Sequence, residues 1–414
     1  MADETIPPYP NLSVAELSYR LLTPSLAHLH RASQVALLDA IKADEMGPYY
    51  RSLYETPTIT INPLASPRLP QSPRLIRAQL EAGPLGRRDE TLLAELDDKN
   101  TKELARLEER IQEAEKTEGE SEIAEAWRAK ATYLTRIGEK ASEKAIEAQK
   151  TALEKTAGIG SRIDIALSLV RIGFFFALPD LIKEYLAKAE EFIQKGGDWD
   201  RRNRLKVYKA YHLLSIRSFT PASALLIDSL PTFTATELLP LVDFISLTLI
   251  CSTLVSSRPE LQKVLKSPEV QSTLSEIPEA VGVLASSLCE SQYDKFFRSL
   301  ARVEEEELRT SRLLNSHRRW FVRELRVKAY SQLLESYKSL TLESLARAFG
   351  VSEEWIDEEL VHFISSGRLN CVVDRVNGVI ETNRPSTKSA RYEAVIKQGD
   401  VLLNSVQRLS KVLY

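Results

Sequence analysis

The fold of this 414-residue chain is decided by residues 340–385, LTLESLARAFGVSEEWIDEELVHFISSGRLNCVVDRVNGVIETNRP. The pattern predicts four elements in this stretch, which are helices over 342–349 and 352–364 and strands over 371–374 and 379–382. Between the two strands stands Asn377-Gly378, a dipeptide typical of a tight hairpin turn. Two helices joined by a short turn and followed by a β-hairpin predict a winged helix, whose second helix often enters the DNA major groove.

The second predicted helix of this winged helix is strongly acidic. It contains no Lys or Arg, and it carries Glu353, Glu354, Asp357, Glu358 and Glu359. Affinity for nucleic acid comes mainly from neutralising phosphates, so five carboxylates on this helix oppose binding. Acidic residues in a first turn also complement the helix dipole, but that accounts for only the first two. The pattern therefore predicts a protein-binding module and no nucleic-acid partner.

Composition and charge exclude several other classes of protein. The net charge is -3 and the pI is about 6.1, so the chain has no global attraction to nucleic acid or anionic membranes. The first residues lack the basic and apolar regions of a signal peptide. The most apolar run, 238–255, is interrupted by a proline and several polar residues and predicts a buried helix rather than a membrane span. Cys251, Cys289 and Cys371 are interpreted as reduced core residues of an intracellular protein.

A repeat with a period near that of tetratricopeptide (TPR) proteins precedes the winged helix. Arg136-Ile137-Gly138 recurs as Arg171-Ile172-Gly173, 35 residues later, and each glycine is predicted to end a helix. A degenerate third copy is predicted over 201–230. At its start, Arg201, Arg202 and Arg204 alternate with Asp198 and Asp200, which predicts a salt-bridged joint between repeats rather than a phosphate site.

These segments predict a mainly α chain, with a TPR-like right-handed helical-repeat solenoid followed by a helical layer, the winged helix and a C-terminal helix. Residues 56–86 are rich in proline and form an insert, read either as an unmodified linker or as a target of proline-directed kinases at Ser66 and Ser72. The predicted boundaries are 1–86 for the N-terminal helical segment with its insert, 87–200 for the repeats, 201–339 for the helical layer, 340–384 for the winged helix and 385–414 for the C-terminal helix.

The sequence contains no recognisable catalytic or cofactor motif. His28-Leu29-His30 is the only pair with metal-like spacing, and its two imidazoles would face about 200° apart on a helix. No nucleophile elbow, Walker loop or Cys-x-x-Cys occurs. We therefore predict a protein that is not an enzyme and binds no metal or cofactor.

Two features predict docking to other proteins. The hairpin has too few strands to cover both edges, so an edge carrying Cys371, Val373, Val379 and Glu381 is a candidate interface. After Pro385 the chain has apolar residues at alternating three- and four-residue spacing, which suits a coiled-coil-like bundle. The alternative is that this helix folds back on its own domain. The members of the stripe are Tyr392, Val395, Gly399, Leu402, Val406, Leu409 and Leu413.

Several longer motifs resemble one protein family. They are Met46-x-Pro48-Tyr49-Tyr50, the segment 196–204 (GGDWDRRNR), 330–337 (YSQLLESY), 345–351 (LARAFGV) and 381–385 (ETNRP). Together they closely resemble the PCI-domain subunits of the proteasome regulatory-particle lid known as the non-ATPase regulatory subunit 6 family. The likeness covers most of the chain, although the proline-rich insert is not recognised as a family feature.

The resemblance implies a helical-repeat arm followed by a PCI module, with winged helices associating side by side and C-terminal helices gathering in a bundle. It further implies a non-catalytic scaffold in a hetero-oligomer of the cytoplasm and nucleus. Its partners would be the other lid PCI subunits, the lid deubiquitinase and the ATPase base, in support of ubiquitin-dependent degradation.

Two other readings of the resemblance remain open. One is a signalosome PCI subunit, which has the same domain plan, although 381–385 and 397–400 favour the proteasome family. The other is an RNA-associated translation-initiation PCI subunit. In that case the basic helix predicted over 317–339 would be the best place for RNA contact.

Overall fold

The computed structural model describes residues 7–55, 89–117, 119–138, 142–382 and 387–413. The predicted proline-rich insert lies outside these residues. By its contacts the chain divides into two compact units, Met1–Glu290 with Arg298–Val322 and Ser291–Phe297 with Arg323–Tyr414. The predicted mainly α fold class is confirmed, with one small sheet in the second unit.

The first unit is built from helices. The α-helices are α1 (Leu12–Leu22), α2 (His30–Ala43), α3 (Gly47–Glu55), α4 (Glu90–Thr117), α5 (Glu120–Arg136), α6 (Ser142–Lys155), α7 (Ile159–Phe176), α8 (Pro179–Gln194), α9 (Trp199–Ser215), α10 (Phe219–Ser229), α11 (Leu241–Val255), α12 (Arg258–Leu265), α13 (Pro268–Thr273) and α14 (Glu279–Glu290). Shorter helical segments lie at Pro24–Leu29, Leu230–Thr232, Glu304–Leu308 and Asn315–His317.

The repeats pack as successive helix pairs. Helix α5 packs on α6, α7 on α8 and α9 on α10, and each pair also contacts the next. Short connections between the two helices of each pair make them antiparallel neighbours. Small residues of these helices are buried, as Ala152 of α6 shows. Each pair therefore packs against the next, as expected of a TPR-like helical repeat.

The two repeated glycines have different roles, which corrects the sequence prediction. Gly138 follows α5 and has a positive φ of 61°, as a helix-ending glycine does. Gly173 instead lies inside α7, which continues to Phe176 and ends at Ala177 in the left-handed region. A Cβ at Gly173 would stand 2.6 Å from Cγ1 of Ile182. The second glycine is therefore required by the close approach of α8 rather than by a helix end.

Ion pairs join the repeats where the sequence predicted a salt-bridged joint. The Arg201 guanidinium donates from Nε and Nη2 to both oxygens of Asp164, at 2.9 and 2.8 Å. The same guanidinium pairs with Asp198 at 2.6 Å, and Arg204 pairs with Asp200 at 2.9 Å. These contacts fix the start of α9 against α7.

Two arginines hold the ends of this unit together. The Arg171 side chain is almost completely buried and donates from Nη1 to the carbonyl of Pro7 at 2.7 Å. Arg312 donates from Nη1 to the Phe175 carbonyl at 3.0 Å, and its own backbone N–H donates to Glu16 at 2.7 Å. Burial raises the pKa of the Glu16 carboxyl, although Arg312 opposes that shift. The N-terminal helices are thus fastened onto the repeats by buried, charge-assisted hydrogen bonds.

The second unit contains the predicted winged helix. Helices α15 (Tyr293–Val303) and α16 (Arg318–Leu334) contribute residues to both units. The remaining elements are β1 (Ser339–Thr341), α17 (Leu342–Phe349), α18 (Glu353–Ser365), β2 (Cys371–Asp374), β3 (Val379–Thr382) and α19 (Thr387–Leu413). The two helices and two strands of the predicted winged helix are confirmed to within a residue, whereas the basic helix predicted over 317–339 stops at Leu334.

Aromatic packing forms the core of the winged helix. The Tyr330 ring lies with its centroid 4.8 Å from that of Phe349 and 5.9 Å from that of Phe297. Helix α18 buries Ile356, Leu360 and Phe363 at three- and four-residue spacing. Gly350 follows α17 with φ at 68°, so the turn between the helices uses the left-handed conformation that glycine adopts most easily.

Other predictions about the core are confirmed in part. The apolar run becomes α11, most of which is buried, and the described residues contain no helix long and apolar enough to cross a membrane. The three cysteines, all of which are among the described residues, form no disulfide. Cys251 and Cys371 lie in the core as predicted, but Cys289 is only partly buried.

Candidate protein-docking site

The small sheet has three strands rather than the two that the sequence predicted. Its order is β1-β3-β2, and both neighbours of β3 are antiparallel to it. Strand β3 is therefore central, and β2 lies at an edge where no described strand pairs with it. Asp374 pairs with Val379, so the loop between β2 and β3 is residues 375–378, the four residues that the predicted strands leave between them, and it contains Asn377-Gly378.

The hydrogen-bonding register shows which backbone groups face the open edge. The N–H of Thr382 donates to the carbonyl of Lys338, so Thr382 faces β1. Since backbone groups of an antiparallel strand alternate between its two neighbours, Val379 and Glu381 of β3 must face β2. Their partners on β2 are Asp374 and Val372. The alternate residues of β2 therefore direct their N–H and C=O groups to the free edge, and those residues are Cys371 and Val373.

The predicted interface residues of the hairpin separate into two groups. Cys371 is buried and Val373 is half-buried, so these two offer backbone groups at the edge rather than exposed side chains. Val379 and Glu381 lie on the central strand and cannot offer an edge. The sequence prediction missed Val372, which is 61% exposed on the outer face of β2. Successive side chains of a strand point to opposite faces, so Val372 must point away from the face of Cys371 and Val373, and this alternation could have identified it.

The loop of the hairpin is held in a defined shape by Asp374. Its Oδ1 accepts hydrogen bonds from the backbone N–H groups of Val376 and Asn377, and its Oδ2 accepts one from Nδ2 of Asn377. These bonds lower the pKa of the Asp374 carboxyl, with the side-chain bond from Asn377 as the largest cause. Val376 is consequently presented at the tip with 94% of its surface exposed.

Two of the five acidic residues of α18 are paired inside the chain, so the charge that was predicted to oppose nucleic-acid binding is partly neutralised. Arg326 donates to Oε1 of Glu359 at 2.7 Å, and the Tyr330 hydroxyl donates to Oε2 at 2.5 Å. Burial, together with the neighbouring carboxylate, raises the pKa of Tyr330 well above its ordinary value. Arg375 pairs with Asp357 at 2.8 Å. The acids of α18 that remain exposed to solvent are Glu353, Glu354 and Glu358.

Helix α19 presents its predicted apolar stripe to solvent. Between 391 and 411 every described side chain is exposed, so the alternative in which this helix folds back on its own domain is wrong. The stripe residues are 57–70% exposed, and they are Tyr392, Val395, Leu402, Val406 and Leu409. The side chain of Leu413 lies outside the described residues. Ile396 and Leu403, which the sequence prediction did not include, are 62% and 58% exposed beside the stripe.

The described residues contain no group of three or more His, Cys, Asp or Glu side chains that could hold a metal ion. His30 of the metal-like pair donates from Nε2 to the Thr23 carbonyl at 3.1 Å. This hydrogen bond connects the start of α2 to the residue that precedes the Pro24–Leu29 segment. Its role is local and structural.

Three protein-family models match successive segments of the chain. The family described as 26S proteasome subunit RPN7 matches residues 89–264, and the PCI domain matches 292–384. A third family, described as the 26S proteasome regulatory subunit RPN7/PSMD6 C-terminal helix, matches 391–413. The exposed helix α19 is thus itself a recognised family element.

Whole proteins show the same relationship over nearly the full chain. The chain is 38% identical to the 26S proteasome non-ATPase regulatory subunit 6 homolog of Arabidopsis thaliana, over 98% of this chain and 97% of that protein. It is 39% identical to the 26S proteasome non-ATPase regulatory subunit 6 of Oryza sativa, over 98% and 96%. It is 38% identical to the 26S proteasome regulatory subunit RPN7 of Saccharomyces cerevisiae, over 98% and 94%. The repeats, the PCI domain and the terminal helix together show that the chain belongs to the 26S proteasome non-ATPase regulatory subunit 6 (RPN7) family.

Proposed function

We propose that this protein is a non-catalytic structural subunit of the 26S proteasome regulatory-particle lid. It assembles through its winged helix and its C-terminal helix, and it supports ubiquitin-dependent protein degradation in the cytoplasm and nucleus. Its partners are other PCI subunits of the lid, the lid deubiquitinase and the ATPase base. The family membership supports this assignment, and the physical argument for assembly comes from two surfaces of the second unit.

The exposed stripe of α19 is the observation that carries the proposal. A helix with no neighbour is marginal in water, because most helical stability in proteins comes from burying an apolar face. Full burial of one Leu or Val side chain contributes about 1.5–3 kcal/mol. Five or more such side chains on one face therefore provide a large driving force for association with other helices.

The edge of β2 offers a second and more directional contact. Cys371 and Val373 have backbone donors and acceptors free for an added strand, and Val372 adds an exposed apolar side chain beside them. Residues 371–374 contain no Pro or Lys, which are residues that proteins use to block edge pairing. This edge supports docking of a neighbouring winged helix.

A structural role is also supported by where the strongly perturbed titratable groups lie. Glu237 and Tyr208 are buried in the first unit, where the Tyr208 hydroxyl donates to Oε1 of Glu237 at 3.3 Å. Burial raises the pKa of both groups. Groups of this kind in catalytic sites lie in clefts open to a substrate. Here they belong to the packing of the repeats.

The experiment replaces two stripe residues in the full-length chain. Leu402→Asp with Leu409→Asp is compared with Asn404→Asp and Gln407→Asp, which lie on the same exposed helix outside the stripe. Each tagged chain is expressed in cells, affinity-purified and quantified for co-purifying ATPase-ring subunits and cullin ligases. We expect the stripe variant to lose the ATPase-ring subunits and the control to retain them. Retention by both variants, or enrichment of cullin ligases, would overturn the proposal.

A further inference from the structure

A glycine interrupts the apolar stripe of α19 near the middle of the helix. Gly399 occupies the stripe position between Val395 and Leu402, and it lies within the helical span Thr387–Leu413. Glycine inside an exposed helix costs roughly 0.5–1 kcal/mol relative to alanine. A helix that must form a docking surface therefore carries its weakest helix-forming residue in the docking face.

Nothing in the described part of the chain requires glycine at that position. Its φ is not among the positive values of the described residues, and a Cβ built on it meets no atom within 4 Å. The glycines of the helical repeats are different. A Cβ at Gly173 would stand 2.6 Å from Ile182, and one at Gly197 would stand 2.9 Å from Ile193. At Gly173 the missing side chain lets α8 approach, and at Gly197 it avoids the end of the helix that this glycine follows, whereas at Gly399 no described residue of the chain takes such a place.

The exposed residues around Gly399 give the shape of the surface. Ile396 and Leu403 stand one residue after Val395 and Leu402, so three of every seven positions are apolar rather than two. A face of this width suits a helix with neighbours on both sides, whereas a two-position stripe suits a single partner. Gly399 therefore leaves a gap on this face, and the branched side chains of Val395, Ile396, Leu402 and Leu403 surround it.

We propose that a helix of a different subunit crosses α19 at Gly399 and inserts one large apolar side chain into this gap. The inference rests on the proposed function and names the partner element at that site. Knobs-into-holes packing places a side chain of one helix between four residues of the other. At Gly399 the hole is deeper than elsewhere on the stripe, so the inserted side chain is large, such as Leu, Met or Phe.

Charge argues that the partner is not a second copy of this chain. The sequence of α19 contains five basic and two acidic residues, so two copies repel each other. In parallel, in-register pairing Gly399 would also face Gly399 and leave a void in the seam. A partner helix with a net negative charge and a large apolar residue satisfies both conditions.

The test uses the opposite effects of alanine on helix formation and on packing. Gly399→Ala strengthens the isolated helix but fills the gap, whereas Asn404→Ala strengthens the helix on its other side. Full-length tagged variants compete with untagged wild-type chain for incorporation into the assembled complex. We expect Gly399→Ala to reduce incorporation by about tenfold and Gly399→Leu to reduce it further, because overpacking a filled site is destabilising. Asn404→Ala should match the wild type.

Each alternative outcome is decisive. If Gly399→Ala is incorporated at or above the wild-type level, helix propensity alone explains the result, and the inference is overturned. In that case a defect of Leu402→Asp with Leu409→Asp would leave the proposed function standing, so the two failures are distinguishable. Light scattering of the purified chain tests whether the partner is a second copy of this chain. A dimer that Gly399→Leu dissociates would show that a second copy fills the gap.

Discussion

Arg326 donates a hydrogen bond of 2.7 Å to Oε1 of Glu359, the deepest carboxylate of α18. Its guanidinium also lies 5.3 Å from the ring centroid of Trp355. The acidic helix is therefore attached to α16 through a charge-assisted bond and a cation–π contact. The pair is partly buried, since the side chains of Arg326 and Glu359 are 33% and 13% exposed.

Removal of this arginine should destabilise the protein. Arg326→Ala leaves Glu359 partly buried without its cation, and the expected loss in the free energy of unfolding is about 1–3 kcal/mol. Arg347→Ala is the control, because Arg347 pairs with Glu343 on an exposed surface of α17, and it should cost less than about 0.5 kcal/mol. Urea unfolding measures both. Equal losses in the free energy of unfolding would show that the Arg326–Glu359 pair stabilises the protein no more than the exposed Arg347–Glu343 pair does.

Replacing Gly173 should also destabilise the protein, although alanine is the better helix former. A Cβ there overlaps Ile182 at 2.6 Å, and the expected cost of Gly173→Ala is about 1–3 kcal/mol. Gly282 lies inside α14, where a Cβ would meet Leu274 at an ordinary 3.4 Å. Gly282→Ala should therefore be neutral or stabilising by up to about 1 kcal/mol. In thermal unfolding Gly173→Ala should lower the unfolding temperature and Gly282→Ala should leave it unchanged or raise it, and an unchanged or higher temperature for Gly173→Ala would contradict the close helix approach.

His317 should make stability depend on pH. Its Nδ1 accepts from Nε of Arg217 at 3.2 Å, so its Nε2 carries the proton and donates to the Ser215 carbonyl at 3.0 Å. Burial lowers the pKa of the His317 imidazole, and the charge of Arg217 acts in the same direction. The folded state therefore binds fewer protons than the unfolded state below the ordinary histidine pKa of about 6.5. Stability contributed by this group is present above that pH and is lost as the pH falls through the folded-state pKa.

The measurement compares the wild type with His317→Gln between pH 7.5 and pH 5. The glutamine variant should show a smaller loss of unfolding free energy over this range, because its side chain does not titrate. Buried carboxyls with raised pKa values, such as Glu237, titrate in both proteins and cancel in the difference. Identical slopes for the two proteins would show that the pKa of His317 does not differ between the folded and unfolded states.

RNA binding should be weak. Helix α18 keeps three solvent-exposed carboxylates, and Arg326 and Arg375 are engaged with its other two. Filter binding of the purified chain to single-stranded RNA should give no tight complex at physiological salt. Submicromolar affinity that falls steeply with salt concentration would instead support a nucleic-acid function.

Local patterns predicted the winged helix well, and long-range contacts account for what they missed. Helix α18 and the strand pair follow from periodicity and a turn signal within a few residues. Strand β1 has only three residues, Ser339–Thr341, which is too short to show alternation. The residues around Gly173 do not show whether the glycine ends a helix or allows another helix to pack closely against it. The cation that neutralises Glu359 lies 33 residues away, and no spacing rule connects the two.

The candidate docking site could likewise be predicted only in part. The stripe of α19 follows from its own spacing, but its extra width at Ile396 and Leu403 became evident only when the whole helix proved exposed. The edge of the sheet could not be assigned from the hairpin alone. Once β1 pairs with β3, β3 becomes the central strand, and β2 is one of the two edge strands among the described residues.

Deletion of residues 389–414 tests the central claim most directly. The truncated and full-length chains are expressed in cells, and their incorporation into the proteasome regulatory particle is quantified by affinity purification and mass spectrometry. Thermal unfolding of the purified chains is measured in parallel. We expect the truncated chain to be absent from the particle while its unfolding temperature stays within about 2 °C of the full-length value, because α19 is not packed on the rest of the chain. Incorporation of the truncated chain at the full-length level would contradict the account.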